Sequence, residues 1–173
     1  KFFECDVSKA SSDFNSIENM FKKLSTVWEE IDFIVHALAY SDKEELKGKY
    51  VNCSRENFLN SLDISAYSFT RIAKSSFPLM SLKGGSLLTL SYLGAERTTP
   101  NYNVMGVAKS ALEASIKYLA MDLGKNNIRV NALSAGPVKT LAGAAISGAR
   151  HVFRYSESVP PLKFNPQLIE VGS

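Results

Sequence analysis

The stretch from Leu87 to Lys109 constrains this chain more than any other: an apolar run passes through a turn and enters a helix. Ser86–Leu90 is short, β-prone and entered through Gly84-Gly85, which predicts a strand. Beyond the turn, Val104, Ala108, Ala111, Leu112, Ser115, Ile116 and Leu119 recur at helical spacing. Tyr102 and Lys109 bracket the first two turns of that helix. Seven residues advance a helix by about two turns, so the phenol and the ammonium share a face, with Tyr92 at the mouth of the preceding strand. An ammonium beside a phenol favours the phenolate and lowers its pKa, which makes a usable acid near neutral pH. The same pair is a common surface decoration, so its meaning depends on its surroundings.

Those surroundings are strands and helices in alternation. Phe33–Ala37 is a continuous apolar run that suits a central parallel strand buried on both faces, and Ile128–Leu133 reads as the next parallel strand. Phe2–Cys5 is apolar and β-prone. Ile17, Met20, Phe21, Leu24, Val27 and Trp28 form one apolar stripe, as expected of a crossover helix packed on a sheet. Lys43–Asn52 is polar and lacks a period, so a loop is expected before Ser54, a helix N-cap with Asn57 three residues on. A long helix then runs through Phe58, Leu62, Tyr67, Phe69, Ile72 and Ala73 to Pro78, and Gly124 is placed as the C-cap of the helix that carries Lys109. After a helical piece, Pro160-Pro161 breaks the chain, and Pro166–Val171 opens another helix. The expected fold is α/β: an open, doubly wound parallel sheet, Rossmann-like, with helices on both faces.

Composition excludes several functions. At 173 residues the chain fits one domain with a substantial core, and a formal charge of +3 from scattered basic residues gives no stripe for nucleic acid. Cys5 and Cys53 lack metal-ligand or redox spacing and are expected as reduced structural thiols. No signal peptide, bilayer-length apolar run or repeat is present, which points to a cytoplasmic protein. His36 invites a catalytic reading, but an imidazole at a strand end, hydrogen-bonded locally, is the stronger one.

Ser91-Tyr92-Leu-Gly-Ala-Glu96, Pro100-Asn-Tyr102-Asn-Val-Met-Gly106, Lys109 and Arg129–Pro137 together resemble the NADH-dependent enoyl-acyl-carrier-protein reductases of bacterial type II fatty acid synthesis. These form a divergent branch of the short-chain dehydrogenase/reductases. Most of that superfamily spaces tyrosine and lysine four apart, whereas this branch spaces them seven apart and adds a second tyrosine ten residues upstream, as Tyr92, Tyr102 and Lys109 stand here. The resemblance implies Tyr92, Tyr102 and Lys109 as catalytic, with Ser41, Tyr92 and Tyr102 at the acyl substrate. It implies that Lys109 holds the ribose hydroxyls of NADH. It places Asp6 and Val7 at the adenine, Leu38 on the adenosine side, and the turn Val138, Lys139, Thr140, Leu141 and Ala142 at the nicotinamide carboxamide and phosphates. It further implies acyl carrier protein as the substrate's carrier, a homotetramer, and a Leu141–Arg150 segment that covers the substrate.

A rival within the superfamily is a 3-oxoacyl thioester reductase, against which the seven-residue spacing and Tyr92 argue. A rival of another class is a non-catalytic nucleotide-binding module, suggested because no glycine-rich strand-to-helix turn occurs here to receive a pyrophosphate. The resembled family carries that turn on its first strand. The chain opens on Lys1-Phe-Phe-Glu-Cys-Asp6 as if on the tail of a strand, so residues 1–173 are expected to be one dinucleotide-binding domain lacking its first strands and its last.

Overall fold

The computed structural model describes residues 2–8, 15–138, 149–159 and 161–172. Three strands, β1 (Phe33–His36), β2 (Gly85–Ser91) and β3 (Ile128–Ser134), form a parallel sheet in the order β1-β2-β3. Helix α1 (Ser16–Ser25) precedes β1, while α2 (Arg55–Leu62) and α3 (Ser68–Met80) join β1 to β2. Helix α4 (Asn103–Gly124) joins β2 to β3, and α5 (Ala149–Ser158) and α6 (Leu168–Val171) follow. Parallel neighbours need such helical crossovers, and the apolar runs separated by long helical stretches dictated them.

Register decides which side chains meet the core. Leu87 stands beside Ile34 and Val130, and Thr89 beside His36 and Ala132. Period-two alternation turns Leu87, Thr89 and Ser91 inward, and all three are buried. Leu87, Ile128 and Val130 share a cluster with Ile17, Phe21 and Leu24 of α1, Phe69, Ile72, Ala73 and Met80 of α3, and Leu112 of α4. Each large side chain so buried contributes about 1.5–3 kcal/mol. On β1 the opposite face is open among the described residues: Phe33 is 68% exposed and Val35 51%, so burial of β1 on both faces is not found.

Other expectations change as well. Phe2–Cys5 forms no strand; it runs extended with Phe3, Cys5 and Val7 turned onto the core, since β-propensity without a ladder partner gives only the alternation. The α1 stripe stops at Leu24, and Val27 and Trp28 lie exposed beyond the helix, where their amides close a turn on the Leu24 carbonyl. Gly124 is the last residue of α4 rather than a left-handed cap; the left-handed residue is Asn127, at φ 57°. Gly84, at φ 87°, is obligatory in the turn into β2, because a Cβ there would lie 2.4 Å from the Asn127 carbonyl oxygen.

The single long helix expected over Ser54–Pro78 is two α-helices joined by a π-helical turn, Asp63–Tyr67. Its start is as expected, with the Asn57 amide donating to Ser54 Oγ at 3.1 Å. In the π turn the Ser68 amide bonds the Asp63 carbonyl five residues back. The Ile64 carbonyl takes the Ser68 hydroxyl instead, at 2.7 Å. One extra residue is thereby absorbed without leaving that carbonyl unpaired.

Candidate active site

Parallel strands end together, so the loops after β1, β2 and β3 gather along one edge. This edge carries Ala37–Asp42, Tyr92–Asn101 and Ala135–Val138. Tyr92 follows β2 and Tyr102 sits at the N-cap of α4. Their rings meet edge to face, 5.0 Å between centroids and 67° between planes, an arrangement aromatic quadrupoles favour. Tyr102 packs with Leu46, Val104 and Met105, and Phe58, Leu62 and Tyr92 close around them.

The slot for Tyr102 exists because Gly94 has no side chain. A Cβ at Gly94 would lie 2.5 Å from Tyr102 Cδ1 and 3.2 Å from Tyr92 Cδ1. The turn bearing Gly94 is pressed on α4, where Ser110 Oγ donates to the Ala95 carbonyl at 2.6 Å. Gly94→Ala is expected to tilt the Tyr102 ring, costing about 1–3 kcal/mol of stability and roughly tenfold in turnover. Gly124→Ala, in a helix with open space around the new methyl, should instead stabilise by about 0.5 kcal/mol. Thermal melts and turnover numbers of the two variants check the contrast.

Lys109, two turns along α4, is buried and its Nζ donates to the Leu90 carbonyl at 2.6 Å. Burial pushes its pKa down to about 8, with the nearby Glu113 carboxylate opposing the shift. Glu113 accepts a hydrogen bond from Ser91 Oγ, so the strand end, the lysine and this carboxylate are tied together. The tyrosines do not behave as expected: burial raises the pKa of Tyr102, with Tyr92 adding to the rise, and burial raises Tyr92 as well. Removal from water sets the direction, and Tyr102 stays a neutral phenol and a hydrogen-bond donor.

His36 is structural, as the sequence favours. Its Nε2 lies 2.8 Å from Ser68 Oγ and its Nδ1 2.8 Å from Thr89 Oγ1. Each ring nitrogen thus meets a hydroxyl that also donates to a backbone carbonyl, Ser68 to Ile64 at 2.7 Å and Thr89 to His36 at 3.2 Å. Burial, then the Lys109 charge, push the imidazole down from 6.5 to about 4. An unfolded chain takes this proton near pH 6.5, the folded one only near 4. The neutral imidazole's contribution is therefore complete above pH 6.5 and declines as the pH falls towards 4, by at most about 3 kcal/mol. Urea unfolding of the full-length protein at pH 7 and pH 4.5 should show the loss, and His36→Gln should lack this part of it.

The remaining expected positions fall as follows. Ser41 is half-buried against Asn57, with Asn57 Nδ2 donating to its hydroxyl at 3.1 Å. Leu38 is 40% exposed on the same loop. Asp6 and Val7 precede α1; the Asp6 amide donates to Ser16 Oγ and its carboxylate accepts the Ser8 amide. Val138 follows β3, half-buried. Lys139, Thr140, Leu141 and Ala142 lie outside the described residues, as does most of the Leu141–Arg150 segment. Cys5 and Cys53 have thiols pushed up chiefly by burial, and no group of three or more metal-ligating side chains occurs among the described residues. Sequence reasoning missed Gly94, Ser65 and Glu113, and read Asn57 only as the partner of the Ser54 cap; of these roles only that of Glu113, four residues past Lys109 on one helix face, carried a readable signal.

The family profile described as enoyl-(acyl carrier protein) reductase matches residues 1–173. The chain is 52% identical over 169 residues to enoyl-[acyl-carrier-protein] reductase [NADH] 1 of Rhizobium meliloti, covering 98% of this chain and 60% of that protein. It is 53% identical to the Rickettsia typhi enzyme FabI, covering 93% of this chain and 61% of that one. A crystal structure of the Anaplasma phagocytophilum reductase in complex with NAD superposes with a TM-score of 0.88 at 54% identity, over 98% of this chain and 61% of that one. FabI from Candidatus Liberibacter asiaticus gives 0.92 at 47%, over 98% and 64%. The chain thus spans about three fifths of the length of these relatives. With identity at this level across nearly every residue, and with the paired tyrosines and buried lysine in place, the chain belongs to the enoyl-(acyl carrier protein) reductase family.

Proposed function

We propose that the protein reduces the carbon-carbon double bond of trans-2-enoyl thioesters, presented on acyl carrier protein, with NADH as reductant. The observation that carries this is the Tyr92–Tyr102 edge-to-face pair at the carboxyl edge of a parallel sheet, with a buried Lys109 two turns along the helix that Tyr102 caps. A ribose diol suits this lysine: an ammonium has three donors, and among the described residues one is given to the Leu90 carbonyl. When bound, NADH supplies the hydride. Tyr102, kept neutral by burial, donates a hydrogen bond to the thioester oxygen as negative charge develops there, which lowers the barrier. Lys109 holds the ribose hydroxyls and keeps positive charge near that oxygen. Tyr92 packs against Tyr102, lines the acyl side with Ser41, and assists protonation. Asp6, Val7, Leu38 and Val138 border the dinucleotide, continued by Lys139, Thr140, Leu141 and Ala142. Residues 1–173 belong to one dinucleotide-binding domain of a cytoplasmic homotetramer in this proposal. No helix among the described residues is long and apolar enough to cross a membrane.

The test uses the full-length protein and follows loss of reduced-nicotinamide absorbance with a short trans-2-enoyl thioester and, separately, a 3-oxoacyl thioester. Consumption with the enoyl substrate alone supports the proposal. Consumption with the oxo substrate alone moves the protein to carbonyl reduction, and none with either, despite cofactor binding, makes it a non-catalytic module.

A further inference from the structure

The loop Ala37–Asp42, in which the proposed function sets Ser41 on the acyl side and Leu38 at the dinucleotide, is held by buried polar groups outside the reacting machinery. The Tyr40 amide donates to Ser65 Oγ at 2.9 Å, and Ser65 Oγ donates back to the Tyr40 carbonyl at 3.1 Å. A single side-chain hydroxyl thus satisfies both backbone groups of one residue. Asn57 holds the next two residues by one backbone and one side-chain bond: its Oδ1 accepts the Asp42 amide at 2.9 Å, and its Nδ2 donates to Ser41 Oγ. Ser65 and Asn57 are 0% and 5% exposed, so neither bond is exchanged cheaply for water.

Ser65 also touches the other side of the site. It lies in the π turn, and its Oγ is 3.9 Å from Met105 Sδ. The hydroxyl has one proton, directed to the closer and better acceptor, the Tyr40 carbonyl, which leaves Met105 as a packing contact. Met105 shares a buried cluster with Tyr102. One residue therefore touches both the substrate-side loop and the packing that seats the phenol.

We infer that Ser65 is a positioning residue that sets the distance between the Tyr40–Ser41 loop and Tyr102, and so governs capture of the acyl substrate rather than of the cofactor. This rests on the proposed function for the identity of the substrate. The backbone restraint is separable from it, and the experiment reads both. In the full-length enzyme, Ser65→Ala should raise the KM for a trans-2-enoyl thioester by roughly tenfold and leave the KM for NADH within about twofold. Hydrogen exchange should show the Tyr40 amide at least about tenfold less protected, with the Asp42 amide unchanged, and Asn57→Ala should reverse that pattern. If Ser65→Ala does not fold, Ser65→Cys, of similar size and a weaker donor, carries the same readouts. Equal loss of protection at both amides, or parallel rises in both KM values, would make Ser65 merely structural and overturn the inference. An unchanged enoyl KM would overturn it too. Changed Tyr40 protection in a protein whose unsubstituted form turns over no enoyl thioester would sink the proposed function, and the role in substrate capture with it, while the backbone clamp stands.

Discussion

Tyr102→Phe in the full-length enzyme should lower turnover of an enoyl thioester by about 10²- to 10³-fold while changing NADH affinity less than about twofold. The substitution leaves the ring in the Gly94 slot and against Tyr92, and removes only the hydroxyl. A donor aimed at charge that develops in the transition state contributes little to ground-state binding, so the loss belongs in kcat rather than in the NADH KM. Raised above its ordinary value by burial, the phenol stays protonated through the neutral range, and no acid or alkaline limb near pH 7 should trace to it. Steady-state kinetics over pH 6–9 check both statements, and near-normal turnover would overturn the assignment.

Lys109→Met should raise the NADH KM by roughly 10- to 100-fold, the loss expected of charge-assisted hydrogen bonds to the ribose. It should also make the protein harder to unfold. Burial holds the lysine at about 8 rather than 10.5, so between these values the unfolded chain binds more protons than the folded one. Stability falls as the pH drops from 10.5 to 8 and then levels, leaving the neutral-pH fold carrying a burial cost on the order of 3 kcal/mol. Methionine has similar length and no charge, and recovers part of that cost, less the lost Leu90 bond. The unsubstituted enzyme should in turn bind NADH more weakly as the pH climbs past 8, where Lys109 loses its proton. Isothermal titration with NADH and urea unfolding test the two halves, and a destabilised variant with normal NADH affinity would contradict both.

What was legible in the chain was whatever depends on local spacing. The Tyr102–Lys109 interval fixes a shared helix face, the apolar runs predict the three parallel strands, and Ser54 announces a helix start. What stayed hidden depends on the rest of the molecule. The direction of the Tyr102 shift follows from how deeply the ring is buried, which no interval between a phenol and an ammonium encodes. The openness of Phe33 and Val35 reflects which elements pack on that face, whereas their apolar character suits burial equally well. Ser65 and Tyr40 lie far apart in the sequence, so their reciprocal hydrogen bonds left no pattern to find. Nor does an apolar stripe reveal one additional residue, and Asp63–Tyr67 passed for ordinary helix.

That turn sets the reading frame of everything before it. Deleting one residue from Asp63–Tyr67 would let a continuous α-helix form, a better helix taken alone, because the Ser68 amide would regain its partner four residues back. Each α-helical residue sweeps about 100° around the axis, so the deletion would rotate Arg55–Leu62 by that angle against α3. Asn57 would swing off Ser41 and Asp42 while Ser68 kept its hold on His36. The segment gives up regular helix pairing to be globally in phase, and a chain one residue shorter here would gain helix and lose its substrate loop.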